Sequence, residues 1–317
     1  MILPRLLLAA MAVAAIAACE PVSPNAPSGG PSPVQRPSDR VAAAPAFSGP
    51  SEESRSLALF YARLQQRLQA QGLLRVETTG VPFDAESLAR DFERVALFSE
   101  YVQVGGRYIA QQNRAQLRRW ERPVRIQLHF GPSVAPATRE EDRRRIVSYV
   151  ARLRRATGHP IDVVGSGGNY HIFIASVDEQ RELGPQVAAA EPGLSRSTIN
   201  EITLLGRNTY CAVYASSSSD RPDSYVSAIA FVRSEHPDLF RLSCYHEEIA
   251  QGLGLANDSP AVRPSIFNDD EEFALLTEHD ELLLRMLYDR RLRVGMTADE
   301  ARPIVRQIAR ELVGGRT

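Results

Sequence analysis

The segment that most constrains the fold of this chain is CYHEEIAQGLGLANDSP, which runs from Cys244 to Pro260. It predicts a helix that begins near Leu239 and continues through the acidic residues. Glu247 and Gln251 lie four residues apart, so both side chains leave the same face of that helix, whereas Glu248 projects about 100° away. If this face borders a cleft, a hydrogen bond between Glu247 and Gln251 would hold the end of the helix.

The pattern of apolar residues divides the chain into a helical and a mixed part. Residues 54–119 predict a small helical segment in which the second helix starts with an Asp cap and a third covers RYIAQQNRAQLRRW. From residue 120 onwards, one amphipathic helix and about five strands are predicted, the strands being PVRIQLHFG, IDVVG, NYHIFIAS, TYCAVYASS and YVSAIAFVRSE. We therefore expect an α/β or α+β layer arrangement from residue 120 onwards, with a sheet of about five strands and with helices around it.

The N-terminus carries a targeting signal. Residues 1–18 contain one arginine and an apolar run too short to span a membrane, and small residues precede Cys19, which resembles the lipobox of bacterial lipoproteins. That resemblance implies cleavage before Cys19 and lipidation of its side chain. The alternative is an ordinary signal peptide followed by a chance cysteine. Residues 19–53 are rich in Pro, Ser, Ala and Gly and predict a flexible tether.

This signal predicts a protein that is anchored to a membrane of the cell envelope and faces the periplasm. Two cysteines, Cys211 and Cys244, then remain in an oxidising compartment, which favours one disulfide over two buried free thiols. The formal net charge of -1 argues against a nucleic-acid partner, because phosphate contacts need a basic surface. The expected partners are the lipid bilayer and a protein, peptide or glycan of the envelope.

The acidic helix invites comparison with zinc motifs. A zinc-binding HExxH needs histidines four residues apart, but the fourth residue after His246 is Ala250. Shifted by one residue, the segment resembles the HExxHxxGxxH motif of the metzincin metalloproteases. The five matching positions hold Glu247, Glu248, Gln251, Gly254 and Asn257.

Neighbouring residues extend this resemblance. Asp258 follows the motif as in metzincins, and Phe267 in PSIFNDD lies where their downstream turn carries a methionine. The run LTEHDELLLRMLYD resembles their closing helix. The resemblance implies an α+β domain with a mixed sheet of about five strands over residues 120–317. It also implies structural roles for Gly254, which turns the chain, and for Asp258 and Phe267. More narrowly, the block from EEIAQGLGLAND to RRLRVGMT resembles domain of unknown function 2927, a family of bacterial envelope proteins that implies no reaction.

The three histidine positions of the motif hold Glu247, Gln251 and Asn257. Their oxygen donors do not suit zinc and would favour calcium or magnesium if any metal, so we expect no cofactor. Without zinc, Glu248 has no metal-bound water to activate. We therefore expect a pseudo-protease domain that binds a peptide, glycan or protein partner, with Glu247, Gln251, Asn257 and His246 as candidates for the binding cleft.

Two other interpretations stay open. In the first, the chain is a hydrolase of peptides or cell-wall polymers that uses Glu247 or Glu248 as its catalytic group, with an atypical metal or none. In the second, it is a purely structural lipoprotein in which these residues form a polar network. Two further histidines, His129 and His171, lie on predicted strands. A satisfied structural role is their default interpretation, and a metal site shared with Glu247 is the alternative.

Overall fold

The computed structural model describes residues 49–77, 80–104, 107–268 and 270–314. The predicted signal peptide, Cys19 and most of the predicted tether therefore lie outside the described residues. Inside these ranges, none of the helices combines the length and the apolar character that are needed to span a lipid bilayer.

Two helices open the described part of the chain, α1 (Glu52–Ala70) and α2 (Ala85–Ala96). Asp84 caps α2, because its carboxylate accepts a hydrogen bond from the backbone N–H of Ser87 and the Ser87 side chain bonds back to the backbone of Asp84. The Asp cap predicted for the second helix is confirmed.

The third predicted helix is wrong. Its residues form β2 (Arg107–Arg114) and β3 (Arg119–Trp120), and β2 pairs antiparallel with β1 (Phe98–Val104). In the sequence, two runs that contain Tyr and Val flank the pair Gly105 and Gly106, which is a hairpin signal. Over so short a stretch this signal outweighs an apparent helical spacing.

The remaining strands form one mixed sheet. They are β4 (Val124–Phe130), β5 (Ile161–Val164), β6 (Tyr170–Ala175), β7 (Cys211–Ser218) and β8 (Arg221–Arg233). The strands β5, β4, β6 and β8 are neighbours in that order and run parallel, β3 is parallel to the beginning of β8, and β7 is antiparallel to β8. The predicted α+β class is confirmed, with the two-residue β3 added to the five predicted strands.

Helices cover both faces of this sheet. Ile172 and Ile174 of β6 belong to the larger core and Phe173 and Ala175 to the smaller one, because successive side chains of a strand point to opposite faces. The larger core includes residues of α3 (Pro136–Thr157), α7 (Asp238–Gln251), α8 (Glu278–Leu287) and α9 (Ala298–Gly314). The smaller core lies under α5 (Gly184–Ala190) and α6 (Arg196–Thr203), which follow the one-turn helix α4 (Val177–Gln180).

A buried ion pair fixes the beginning of α7 against α3. The guanidinium of Arg241 donates from Nε and Nη2 to the two carboxylate oxygens of Asp142, at 2.8 and 3.2 Å. Tyr245 donates its hydroxyl to the same carboxylate at 2.8 Å. Both charges are buried and matched by several hydrogen bonds, which is the condition under which such a pair persists in a protein interior.

A disulfide fixes α7 against the sheet. Cys211, the first residue of β7, is bonded to Cys244 in the middle of α7, and their Cα atoms lie 5.9 Å apart. The predicted disulfide is therefore confirmed. It joins the edge strand of the sheet to the helix that carries the acidic motif.

Candidate functional site

A cleft of about 1360 Å³ lies beside β7, and we call it the β7–α7 cleft. Its lining includes all residues of β7, the side of α7 that carries Glu247, Glu248 and Gln251, and Asp258 in the turn that follows α7. Further lining residues come from the segment 191–210. The volume exceeds the roughly 300–1000 Å³ of typical small-molecule pockets, so a ligand of several residues fits.

The strand that borders this cleft is an edge strand. Across the described ranges, β7 forms a ladder with β8 and with no other strand. Its second edge therefore presents a row of backbone N–H and C=O groups that take no part in the sheet. Such an edge is the surface to which an extended peptide adds as a further strand.

Two carboxylates of α7 meet in the cleft. Oxygen atoms of Glu247 and Glu248 and the Sγ of Cys211 all lie within 4.8 Å of one another. Glu248 is buried and Glu247 is half-buried. Although the two side chains leave the helix in different directions, both line the cleft. Because the sulfur belongs to a disulfide, it is no thiolate ligand, and the chemistry of this cluster is that of two carboxylates.

Gln251 contacts the turn that follows α7. Its Nε2 donates a hydrogen bond to Oδ1 of Asp258 at 2.8 Å. The intervening turn needs a glycine, because Gly254 has φ +128 and a Cβ at this position would lie 2.4 Å from the carbonyl oxygen of Arg118. The turn at Gly254 brings Asp258 back to the face of α7 that carries Gln251.

Asn257 is not among the cleft-lining residues. It is fully buried, its Nδ2 donates to the carbonyl oxygen of Arg94 at 2.8 Å, and its backbone N–H donates to that of Val95 at 3.2 Å. These contacts tie the turn to the end of α2. Of the three positions that would hold zinc ligands in a metzincin, Glu247 and Gln251 therefore border the cleft and Asn257 does not.

These residues do not fit zinc. A zinc site takes imidazole nitrogens or thiolates, with at most part of the set being carboxylate. The three motif positions offer one carboxylate and two amides, and both amide nitrogens already donate hydrogen bonds within the protein. We therefore assign no reaction step to a zinc ion.

His246 lies on another face of α7 from the cleft. Its ring stacks on Tyr149 with centroids 3.9 Å apart, and its Nδ1 accepts a hydrogen bond from the backbone N–H of Leu276 at 3.0 Å. Burial lowers its pKa to about 3, so the imidazole is neutral at physiological pH. These contacts give His246 a role in the packing of α3, α7 and the segment before α8.

Three aromatic side chains bind the last carbonyl groups of α7 and its turn. Tyr170 donates its hydroxyl to the carbonyl oxygen of Glu248 at 2.6 Å, and Trp120 donates its Nε1–H to that of Gly252 at 2.8 Å. Tyr288 donates to the carbonyl oxygen of Leu253 at 3.0 Å. The last carbonyl groups of a helix lack partners within it, and that of Glu248 accepts, besides Tyr170, the backbone N–H of the cap residue Gly252, at 3.0 Å. The three aromatic donors therefore stabilise the end of α7 that borders the cleft. None of the three was predicted from the sequence, although a buried Trp or Tyr usually marks a hydrogen-bond acceptor nearby.

Phe267 packs in the larger core and is fully buried. Its loop is held by Asp280, whose carboxylate accepts hydrogen bonds from the hydroxyl of Ser265 at 2.5 Å and from the backbone N–H of Ile266 at 3.1 Å. Burial raises the pKa of Asp280. The loop thus lies under the turn after α7, and the backbone N–H of Ser259 donates to the carbonyl oxygen of Phe267 at 2.9 Å.

Arg233 holds the segment before β7, part of which lines the cleft. This side chain is 1% exposed, although it is charged. Its guanidinium donates to the side chain of Gln180 at 2.8 Å and to the carbonyl oxygens of Leu205, Gly206 and Thr209 at 2.7, 2.9 and 3.3 Å. This role was not predicted from the sequence, where the available signal was a lone arginine at the end of an otherwise apolar strand.

Acidic groups outnumber basic groups in the lining. The cleft contains the side chains of Glu191, Glu201, Glu247, Glu248, Asp258 and Glu271. The basic ones are Arg114 and Arg118, which lie 3.9 Å from Asp299 and 3.6 Å from Asp223, respectively. A cleft lined in this way favours ligands that carry positive charge.

Comparisons with known proteins place this domain in one family. No curated protein and no solved structure matches the chain. The family described as "Protein of unknown function (DUF2927)" matches residues 85–307, which include α2, the whole mixed sheet, the β7–α7 cleft and the first half of α9. The chain therefore belongs to the DUF2927 family.

Proposed function

We propose that this protein is a lipid-anchored protein of the bacterial cell envelope whose β7–α7 cleft binds an extended peptide segment of a partner without cleaving it. The observation that carries this proposal is the edge of β7, which borders a cleft long enough for several residues. An added peptide strand satisfies the N–H and C=O groups of that edge, and a glycan has no backbone that does so.

We also propose that the domain is a metzincin-like pseudo-protease. This is supported by the order of its elements along the chain, which are α7 with its polar cleft face, the turn at Gly254, the buried loop around Phe267 and the helix α8. Loss of catalysis is supported by the oxygen donors at the motif positions and by the burial of Asn257 against α2.

Site-specific photocrosslinking in growing cells tests peptide binding. A photoreactive amino acid replaces Ser217, which lines the cleft on β7, or Val147, which is 47% exposed on α3. We expect a discrete crosslinked partner from position 217 and none from position 147. Identical products from both positions, or no product from position 217, would contradict a binding role for the cleft.

Membrane attachment is a separate part of the proposal and has a separate test. Lipid chains on Cys19 would hold the protein on a bilayer, since each buried methylene contributes about 0.8 kcal/mol. We expect Cys19→Ala to move the protein from the membrane fraction to the soluble fraction, whereas Glu20→Gln leaves it in the membrane. Membrane retention of Cys19→Ala would refute the anchor without affecting the cleft.

A second candidate function is supported by the two carboxylates that meet in the cleft. Glu247 and Glu248 are placed to act as acid and base on a peptide or a cell-wall polymer. This hypothesis predicts that Glu248→Gln abolishes a measurable turnover without changing the melting temperature, and that Glu191→Gln, also in the cleft, retains turnover. Absence of turnover on peptide and peptidoglycan libraries with calcium, magnesium, manganese or zinc would exclude it.

A further inference from the structure

Two histidines outside the cleft lie close together on the sheet. His129 of β4 and His171 of β6 lie on adjacent parallel strands, on the face that carries Phe173 and the smaller core. The Nε2 of His129 is 2.9 Å from the Nδ1 of His171. We propose that these two nitrogens form a binding site for one divalent transition-metal ion, Cu²⁺ or Ni²⁺.

The two nitrogens share a hydrogen bond in this structure, and their separation also matches that of neighbouring ligands of one ion. Imidazole nitrogens bind first-row metals at about 2.0–2.1 Å, so two ligand nitrogens 2.9 Å apart subtend an angle of about 90° at a shared ion. Adjacent ligands of a square-planar or octahedral ion meet at this angle, and those geometries are typical of Cu²⁺ and Ni²⁺. Two ligands of a tetrahedral zinc ion would lie about 3.3–3.4 Å apart.

The position of His171 suits it to be a ligand. Its Nδ1 faces the Nε2 of His129, and the ring also lies near the backbone of Gly168. With its proton on Nε2, the neutral ring carries its lone pair on Nδ1. Metal-binding histidines commonly have a partner for their second nitrogen, which fixes the tautomer and the ring orientation.

The surroundings hold His129 in position and favour a cation. Its ring stacks on Phe173 with centroids 4.4 Å apart and an interplanar angle of 13°. Binding of a metal displaces the Nε2 proton of His129, and the ring stays neutral with its proton on Nδ1. Glu191, just after α5, is the acidic group whose charge acts on His171 and also favours a bound cation. His129 is half-buried and His171 is 6% exposed, so both rings are held in place by the surrounding fold.

Copper titration of the untagged full chain in detergent tests this site, with electron paramagnetic resonance as the readout. We expect one Cu²⁺ per chain with superhyperfine splitting from two nitrogens. His129→Asn and His171→Asn are each expected to weaken binding at least about 10-fold. His159→Asn is the matched control, because His159 is another partly exposed histidine with its Nε2 2.8 Å from the carbonyl oxygen of Arg122.

A second measurement keeps the test independent of folding. Circular dichroism compares each variant with the parent protein, and Glu191→Gln, which leaves both rings in place, is expected to weaken copper binding by a smaller factor. Titration with Ni²⁺ should rank the variants in the same order of metal affinity. Parent-like copper affinity in folded His129→Asn and His171→Asn, or loss of the nitrogen signal in His159→Asn, would overturn the proposal.

Discussion

Gln251, the last residue of α7, donates a hydrogen bond to Asp258 across the turn at Gly254, with 2.8 Å between Nε2 and Oδ1. The turn after α7 is therefore closed by a hydrogen bond between two side chains of this chain. This contact makes the polar residues part of the structure of the cleft, and its contribution to stability is measurable.

Removal of the Gln251 side chain is expected to destabilise the protein. Gln251→Ala should lower the free energy of unfolding by about 1–2 kcal/mol, because it deletes a partly buried hydrogen bond to a carboxylate. Gln307→Ala is the control, since Gln307 donates to Glu311 at 3.0 Å on an exposed helix face and should lose less than about 0.5 kcal/mol. Urea unfolding measures both, and equal losses would contradict a structural role for the turn contact.

Gly254 is expected to tolerate no side chain. Gly254→Ala should lower the free energy of unfolding by at least about 3 kcal/mol, because the strain of φ +128 adds to a contact of 2.4 Å with the carbonyl oxygen of Arg118. Gly158→Ala should lose only about 1 kcal/mol, since Gly158 has φ +65 and a Cβ there would meet no other group within 4 Å. A difference smaller than about 1 kcal/mol between the two variants in thermal unfolding would disprove the close approach.

Loss of the disulfide is expected to weaken the link between β7 and α7. The double variant Cys211→Ser, Cys244→Ser should lower the free energy of unfolding by about 3–4 kcal/mol, because the bridge closes a loop of 33 residues in the unfolded chain. Treatment of the parent protein with a dithiol reductant should produce a similar loss, and the double variant should not respond to it. A parent-like midpoint in urea for the reduced protein would rule out this contribution.

The buried His236 is expected to make stability depend on pH. Burial, together with Arg233 and Arg241, lowers its pKa to about 3, although its ring bonds to the carbonyl oxygen of Tyr210 at 2.8 Å. Between the unfolded pKa of about 6.5 and the folded value, the unfolded chain binds a proton that the folded chain does not. The free energy of unfolding should therefore fall as the pH falls below about 6.5.

The variant His236→Asn isolates this effect. From pH 7.5 to 5.0, His236 should account for about 2 kcal/mol of the decrease in the parent protein, and the variant should show a correspondingly smaller decrease. His246, with a pKa of about 3, behaves in the same way and stays in both proteins. Glu235 and Asp280, whose pKa values are raised by burial, oppose the trend in both. Parallel pH profiles for the two proteins in urea unfolding would exclude His236 as a contributor.

Sequence spacing was enough to predict some of the site. Glu247 and Gln251, four residues apart, both border the cleft, because helical periodicity fixes which residues share a face. The turn at Gly254 was expected only from the resemblance to the metzincin motif, whereas the pairing of Cys211 with Cys244 follows from the number of cysteines left in an oxidising compartment. The lipid anchor on Cys19 and the role of the cleft stay predictions.

Long-range contacts could not be predicted in this way. The burial of Asn257 depends on Arg94, which lies 163 residues earlier in the chain, and no local pattern indicates that contact. The hairpin of β1 and β2 was missed because its polar strand residues also fit a helix. The pair of His129 and His171 depends on the order of strands in the sheet, which periodicity does not reveal.

The bridge between Cys211 and Cys244 also limits how the cleft can deform. It couples β7 and α7 mechanically, so a wide ligand cannot separate these two elements from each other. The guanidinium of Arg233 holds the backbone of residues 205, 206 and 209, of which 205 and 209 also line the cleft. The disulfide and Arg233 thus restrain two different parts of the lining.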